Sequence, residues 1–141
     1  MAVTAKTVGS LSGHNTVVTR EYPVANGVTV YEGEFVYLDG TSGRVTSASI
    51  AGKALLGTVV GADNGNLDRA YAESATGNAG GTVKVLVNVD KDAVYLLKND
   101  NLVTTFAVTH VGTYFDLIGN AGSQLVDTST TTTTGQLVCI G

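Results

Sequence analysis

Charge is scarce in this sequence. Only 14% of its 141 residues are Asp, Glu, Lys or Arg, where a typical soluble domain carries about 25%. The eight Lys and Arg are never adjacent and the net charge is −4. A nucleic-acid partner would require a basic stripe, so DNA and RNA are excluded as direct partners. Cysteine is nearly absent as well. Cys139 stands alone, which rules out an intrachain disulfide and agrees with assembly inside a cell. Beside Val138 and Ile140 it reads as a small buried apolar residue. Tryptophan is missing, which weighs against a sugar-stacking site, although six tyrosines remain. No Asn-x-Ser/Thr sequon occurs.

Long apolar runs are lacking too. The best, "LVTTFAVTHVGTYF", is too short to span a bilayer and carries four threonines and His110. The opening "MAVTAKTVGS" has no apolar signal-peptide core. No membrane partner is expected. A soluble chain with so few charges is expected to cover part of its surface with partners.

What the chain has is glycine, at 18 residues, and a period of two. "TVKVLVNV" alternates strictly, placing Val83, Val85, Val87 and Val89 on one face and Lys84, Leu86 and Asn88 on the other. "EFVYL" and "DAVYLLK" are rich in β-branched and aromatic residues. Turn signals separate the runs: Asn26-Gly27 suits a two-residue hairpin turn, Asp39-Gly40 and Gly43 divide short strands, and Gly119-Asn120-Ala121-Gly122 divides two more. Strands are expected near 28–31, 34–38, 44–46, 55–60, 82–89, 93–97, 113–117, 124–126 and 136–140. The one helical candidate is "NLDRAYAES", inside the glycine-rich stretch from Gly61 to Gly81. The expected class is all-β, a small barrel or sandwich of short antiparallel strands with little helix.

Residues 1–22 differ in composition and precede the only proline, Pro23. They read as an extended N-terminal arm on a single β domain of residues 23–141. The β-like stretch Asn15, Thr16, Val17, Val18, Thr19, Arg20 and Glu21 is the candidate contact segment, fit to add a strand to a partner's sheet. Near the C-terminus, Thr130 to Thr134 form an unbroken tract between two strand-like runs. Threonine's β-branch favours extended backbone, and the tract reads as an exposed connection into the last strand.

Catalytic chemistry finds no footing. His14 lies in the arm and His110 among β residues, and both read as structural. One cysteine and two distant histidines make no zinc spacing. "SASIAGKA" fails the phosphate-loop pattern at Ser47 and Ala54. Asp63 and Asp68 in "GADNGNLD", and Asp90 and Asp92 in "NVDKDAV", lack the closing glutamate of a calcium loop. They read as turn residues bonding the local backbone. No enzyme activity, cofactor or metal is expected.

Three stretches carry a family resemblance: "VTVYEGEFVYLDGTSGRVTSAS", with Glu32-Gly33 turning one strand into the next; "GKALLGTVVG" followed by "GGTVKVLVNVDKDAVYLLK"; and the closing "VGTYFDLIGNAGSQLVDTSTTTTTGQLVCIG". Over roughly residues 24–141 the chain resembles the capsid decoration (cement) proteins of tailed bacteriophages. The resemblance implies a β-rich viral structural protein, often a homotrimer, assembled in the host cytoplasm and placed on the outer surface of the virion. There it binds the phage major capsid protein, bridges neighbouring subunits and stabilises the expanded capsid. The motifs are glycines, turns and β residues, so no binding residue is carried over. Two other readings stand beside it: another phage structural module (tail tube, head fibre or tail tip), and a cell-surface binding module.

Overall fold

The alternation in "TVKVLVNV" produces a strand that is paired on both sides in the largest sheet. The computed structural model describes residues 5–10, 18–61, 70–72, 83–100, 107–119, 122–128 and 135–140, with backbone alone for 5–10 and 70–72. Among these residues the chain is all-β. Its strands are β1 (Ala5–Ser10), β2 (Thr19–Pro23), β3 (Thr29–Tyr31), β4 (Phe35–Leu38), β5 (Val45–Thr46), β6 (Gly57–Gly61), β7 (Ala70–Ala72), β8 (Lys84–Asn88), β9 (Ala93–Leu97), β10 (Tyr114–Phe115), β11 (Leu117–Ile118), β12 (Leu125–Val126) and β13 (Leu137–Val138), with one 3-10 turn at Val108–His110.

The largest sheet has the order β2-β8-β6-β4-β5, all neighbours antiparallel. Val85 and Val87 of β8 are fully buried, joined by Val24, Val30, Val36, Val45 and Val59 in a core of seven valines. Burying each is worth about 1.5–3 kcal/mol. Val83 and Val89 pack against this core as the alternation requires. On the opposite face Lys84 is exposed, but Asn88 is buried. Asn88 Oδ1 accepts the Asp90 N–H there at 3.0 Å, and the fold has a second hydrophobic core. That core holds Phe35, Ile50, Phe115, Leu117 and Val126. Consecutive residues Phe35 and Val36 of β4 serve different cores, so β4 stands between the two layers.

Gly57 begins β6 where it must pass closest to β8. A Cβ there would lie 1.7 Å from the Asn88 carbonyl oxygen, so only glycine allows this pairing. One residue of β6, Val60, bulges out of register between Val59 and Gly61.

Several expectations are corrected. Glu32-Gly33 does turn the chain, with the Glu34 N–H bonded to the Tyr31 carbonyl at 3.1 Å. The flanking strands do not form a hairpin: β3 pairs with β7, while β4 pairs with β5 and β6. Asn26-Gly27 behaves alike. Its turn closes from Val28 N–H to the Ala25 carbonyl at 3.2 Å, yet Val24 bridges Val45 and Val30 lies opposite Tyr71. In both cases the turn chemistry is local, and burial of valines on separate partners decides where each strand goes. Ala70-Tyr71-Ala72, placed in the helical candidate, is strand β7, because pairing with β3 overrides a weak helical spacing. The Asp39–Arg44 hairpin forms as its turn residues predict, with Asp39 N–H bonded to the Arg44 carbonyl at 2.8 Å.

The closing stretch folds as two strand pairs, β10 with β13 and β11 with β12. The expected arm is also paired: Ala5–Ser10 runs antiparallel to β9, and Thr19–Pro23 antiparallel to β8. The 22/23 boundary therefore falls inside β2. The threonine tract 130–134 lies outside the described residues.

Candidate functional site

Three features of this fold bear on function: an open sheet edge, an apolar groove, and the polar side chains that tie the closing strands to the main sheet.

The edge belongs to β2. Val89 N–H donates to the Val18 carbonyl at 2.8 Å, and Val24 N–H to the Val83 carbonyl at 2.9 Å. Pairs of an antiparallel ladder alternate in the direction of their hydrogen bonds. Val18, Arg20, Tyr22 and Val24 thus bond to β8, and Thr19 and Glu21 turn their backbone groups outward. Among the described residues no strand pairs with that outer edge. Val18, Thr19, Arg20 and Glu21 of the candidate contact segment are all exposed here. Asn15, Thr16 and Val17 lie outside the described residues. Glu21 also meets Lys84 at 3.2 Å, an exposed ion pair worth little in water.

The groove has a volume of about 1250 Å³. Its walls come from β9, from the stretch around the 3-10 turn and from β13 with the residues after it. Phe35 and Tyr95 meet edge to face at its base, ring centroids 4.9 Å apart. Burial raises the Tyr95 hydroxyl above its ordinary value, with Thr58 opposing and Asp90 reinforcing the shift. Nine large apolar side chains stand exposed among the described residues, and six of them line this groove: Leu38, Leu96, Val108, Val111, Val138 and Ile140. Cys139 packs against the second core and is half-buried, while its neighbours Val138 and Ile140 are exposed. Cys139, read from sequence as a small buried apolar residue, is thus covered on the side of the core and only in part.

Polar side chains that bond backbone tie the closing strands to the rest of the fold. Gln124 is fully buried; its Oε1 accepts the Phe35 N–H at 2.7 Å and its Nε2 donates to the Phe35 carbonyl at 2.8 Å. Gln136 does similar work. Its Oε1 accepts the Leu117 N–H, and its Nε2 donates to the carbonyls of Ile50 and Lys53, all at 2.7 Å. Glu34 is fully buried and accepts N–H groups from Tyr31 at 3.0 Å and from Gly122. Burial raises its carboxyl above the ordinary range, opposed by the Gly122 and Tyr31 N–H groups and the Ser47 hydroxyl. That hydroxyl lies near the carboxylate but outside good hydrogen-bond geometry. These residues hold the 31–35 turn, the 50–53 loop and the closing strands in one arrangement. None was singled out from sequence, because a lone glutamine or glutamate beside a turn has no spacing signature.

Asp90 and Asp92 form a turn: Asn88 Oδ1 accepts the Asp90 N–H and Asp90 Oδ1 accepts the Asp92 N–H, each at 3.0 Å. Asp63, Asp68 and His14 lie outside the described residues. Among the described residues no group of three His, Cys, Asp or Glu could hold a metal. His110 closes the 3-10 turn, its Nδ1 accepting the Ala107 N–H at 2.9 Å, and stacks edge-on to Phe115. In the Asp39–Arg44 turn, the Asp39 carboxylate accepts the Thr41 N–H and the Ser42 hydroxyl, which lowers its pKa. No family model, no curated protein and no solved structure matches the chain.

Proposed function

We propose that this chain is a capsid decoration protein of a tailed phage, a homotrimer that binds the outer surface of the head and stabilises the expanded shell. It works by contact and carries out no catalysis. It bridges neighbouring major capsid subunits, so its binding energy is available only when those subunits hold the mature spacing. A ligand that binds one state alone stabilises that state by mass action, and repetition over the shell makes weak contacts act together.

The observation that supports this reading is the presence of two surfaces, unpartnered among the described residues, on one internally bolted body. The outer edge of β2 offers the backbone of Thr19 and Glu21 for strand addition. The apolar groove offers a second surface made from other strands. A bridging protein needs two such surfaces held at fixed separation, and the Gln124, Gln136 and Glu34 bonds supply the rigidity.

The test is mechanical. Expanded, DNA-filled heads assembled without this protein are heated with and without it, and DNA release is followed. Release at a higher temperature in its presence supports the reading; an unchanged release temperature at saturating protein contradicts it.

A further inference from the structure

We infer that the apolar groove receives an extended segment of the major capsid protein, laid along the free edge of β13, with a Lys or Arg of that segment against the Asp90–Asp92 turn. The source of the segment rests on the proposed reading; its conformation and charge follow from the groove itself. The groove's volume of about 1250 Å³ exceeds the roughly 300–1,000 Å³ of small-molecule sites, which favours a polymer chain over a small ligand.

The walls favour an extended backbone. Cys139 bonds toward β10: its N–H donates to the Thr113 carbonyl at 3.0 Å, and its carbonyl accepts the Gly112 N–H at 2.8 Å. Residues of an antiparallel strand alternate in bond direction, so Val138 turns its N–H and carbonyl away from β10. Among the described residues no strand pairs with that side of β13, nor with the side of β9 opposite β1. The groove meets both strands along their edges. Side chains alternate between the two faces of a strand, so a groove lying on one face would meet every second residue. Here Ala93 to Leu97 and Leu137 to Ile140 line it without a gap. A segment in β conformation can add its backbone to β13 and set alternate side chains on the apolar floor around Phe35 and Phe115.

Charge narrows the choice of segment. Among the described residues the groove's charged lining is Asp90, Lys91 and Asp92, consecutive in one turn, where two carboxylates against one ammonium leave a net charge of −1. The Asp90 carboxylate is held in the turn by the Asp92 N–H at 3.0 Å, and Lys91 and Asp92 are exposed. A segment with a cation at this rim meets charge of the opposite sign.

The test uses the full chain and expanded heads assembled without it. Asp92→Lys and Lys91→Glu alter exposed side chains of one turn in opposite directions, whereas a merely structural role would weaken binding in both. Asp92→Lys is expected to raise the Kd about tenfold and Lys91→Glu to lower it, both effects shrinking at high salt. Hydrogen exchange at residues 137–140 is expected to slow on the head. A photo-crosslinking residue in place of Leu96, 66% exposed on β9, is expected to attach to a stretch of the major capsid protein that contains Lys or Arg. If wild type binds saturably, the capsid reading stands, and any of three results overturns this inference alone: charge variants that do not move in opposite directions, unslowed exchange at 137–140, or crosslinks to this chain or a second copy of it. Absence of saturable binding by the wild type sinks the capsid reading, and this inference with it.

Discussion

The amide of Gln124 pairs with both backbone groups of Phe35 across 89 residues of sequence, its oxygen accepting at 2.7 Å and its nitrogen donating at 2.8 Å. A single side chain thereby imitates a strand neighbour for β4 and ties the closing hairpin to the main sheet. Both partners are buried. Gln124→Ala leaves a buried N–H and a buried carbonyl unpaired, each costing about 1–3 kcal/mol. Urea unfolding is expected to show a loss of about 2–4 kcal/mol.

Glu34 makes stability depend on pH. Burial raises its carboxyl above 4.5, with the N–H groups of Gly122 and Tyr31 and the Ser47 hydroxyl pulling the other way. The folded chain therefore holds this proton more tightly than the unfolded one. Below pH 4.5 the carboxyl is protonated in both and its contribution is fully present. As pH climbs through the raised folded value, a charge must be buried and that contribution is lost. Urea midpoints of the wild type are expected to fall across this window, and those of Glu34→Gln to stay flatter. Parallel profiles for the two proteins would remove Glu34 from the account.

Gly57 tests the packing of the central strands. An added Cβ would meet the Asn88 carbonyl at 1.7 Å, so Gly57→Ala must push β6 from β8. The expected cost is about 3 kcal/mol, visible as a lower unfolding midpoint. Gly43→Ala, in an open turn with nothing near its Cβ, pays only for its positive φ of 67° and is expected to lose about 1 kcal/mol.

The ladder of β2 separates folding from docking. Arg20 spends its N–H on β8, and Glu21 directs its own outward. Arg20→Pro is expected to destabilise the chain by about 1–3 kcal/mol through a lost ladder bond. Glu21→Pro sits where an edge strand tolerates proline and is expected to change stability by less than about 1 kcal/mol while weakening attachment to heads. Removing residues 1–22 would be a poorer probe, because it takes away two paired strands. If Glu21→Pro binds heads as well as wild type, strand addition at β2 is wrong.

Much of the strand content is legible in the sequence because alternation and turn residues are local signals. "TVKVLVNV" shows its buried valines, and Asp39-Gly40 with Gly43 shows a hairpin that forms. Pairing is less legible. Asn26-Gly27 and Glu32-Gly33 both turn, yet neither joins paired strands, because the partners of β3 and β4 lie far along the chain. Asn88 shares its face of the alternation with the exposed Lys84 yet is buried, which no local pattern announces. Nothing in the spacing of Gln124, Gln136 or Glu34 sets them apart from surface residues. The groove was equally hidden, since its exposed side chains come from separate stretches between Leu38 and Ile140 and meet only in the fold.

The most direct measurement is a binding isotherm on heads assembled without this protein, taken for both precursor and expanded shells. The account predicts saturable binding to the expanded shell and weak or no binding to the precursor. Absence of saturable binding at every stage of head maturation would contradict it.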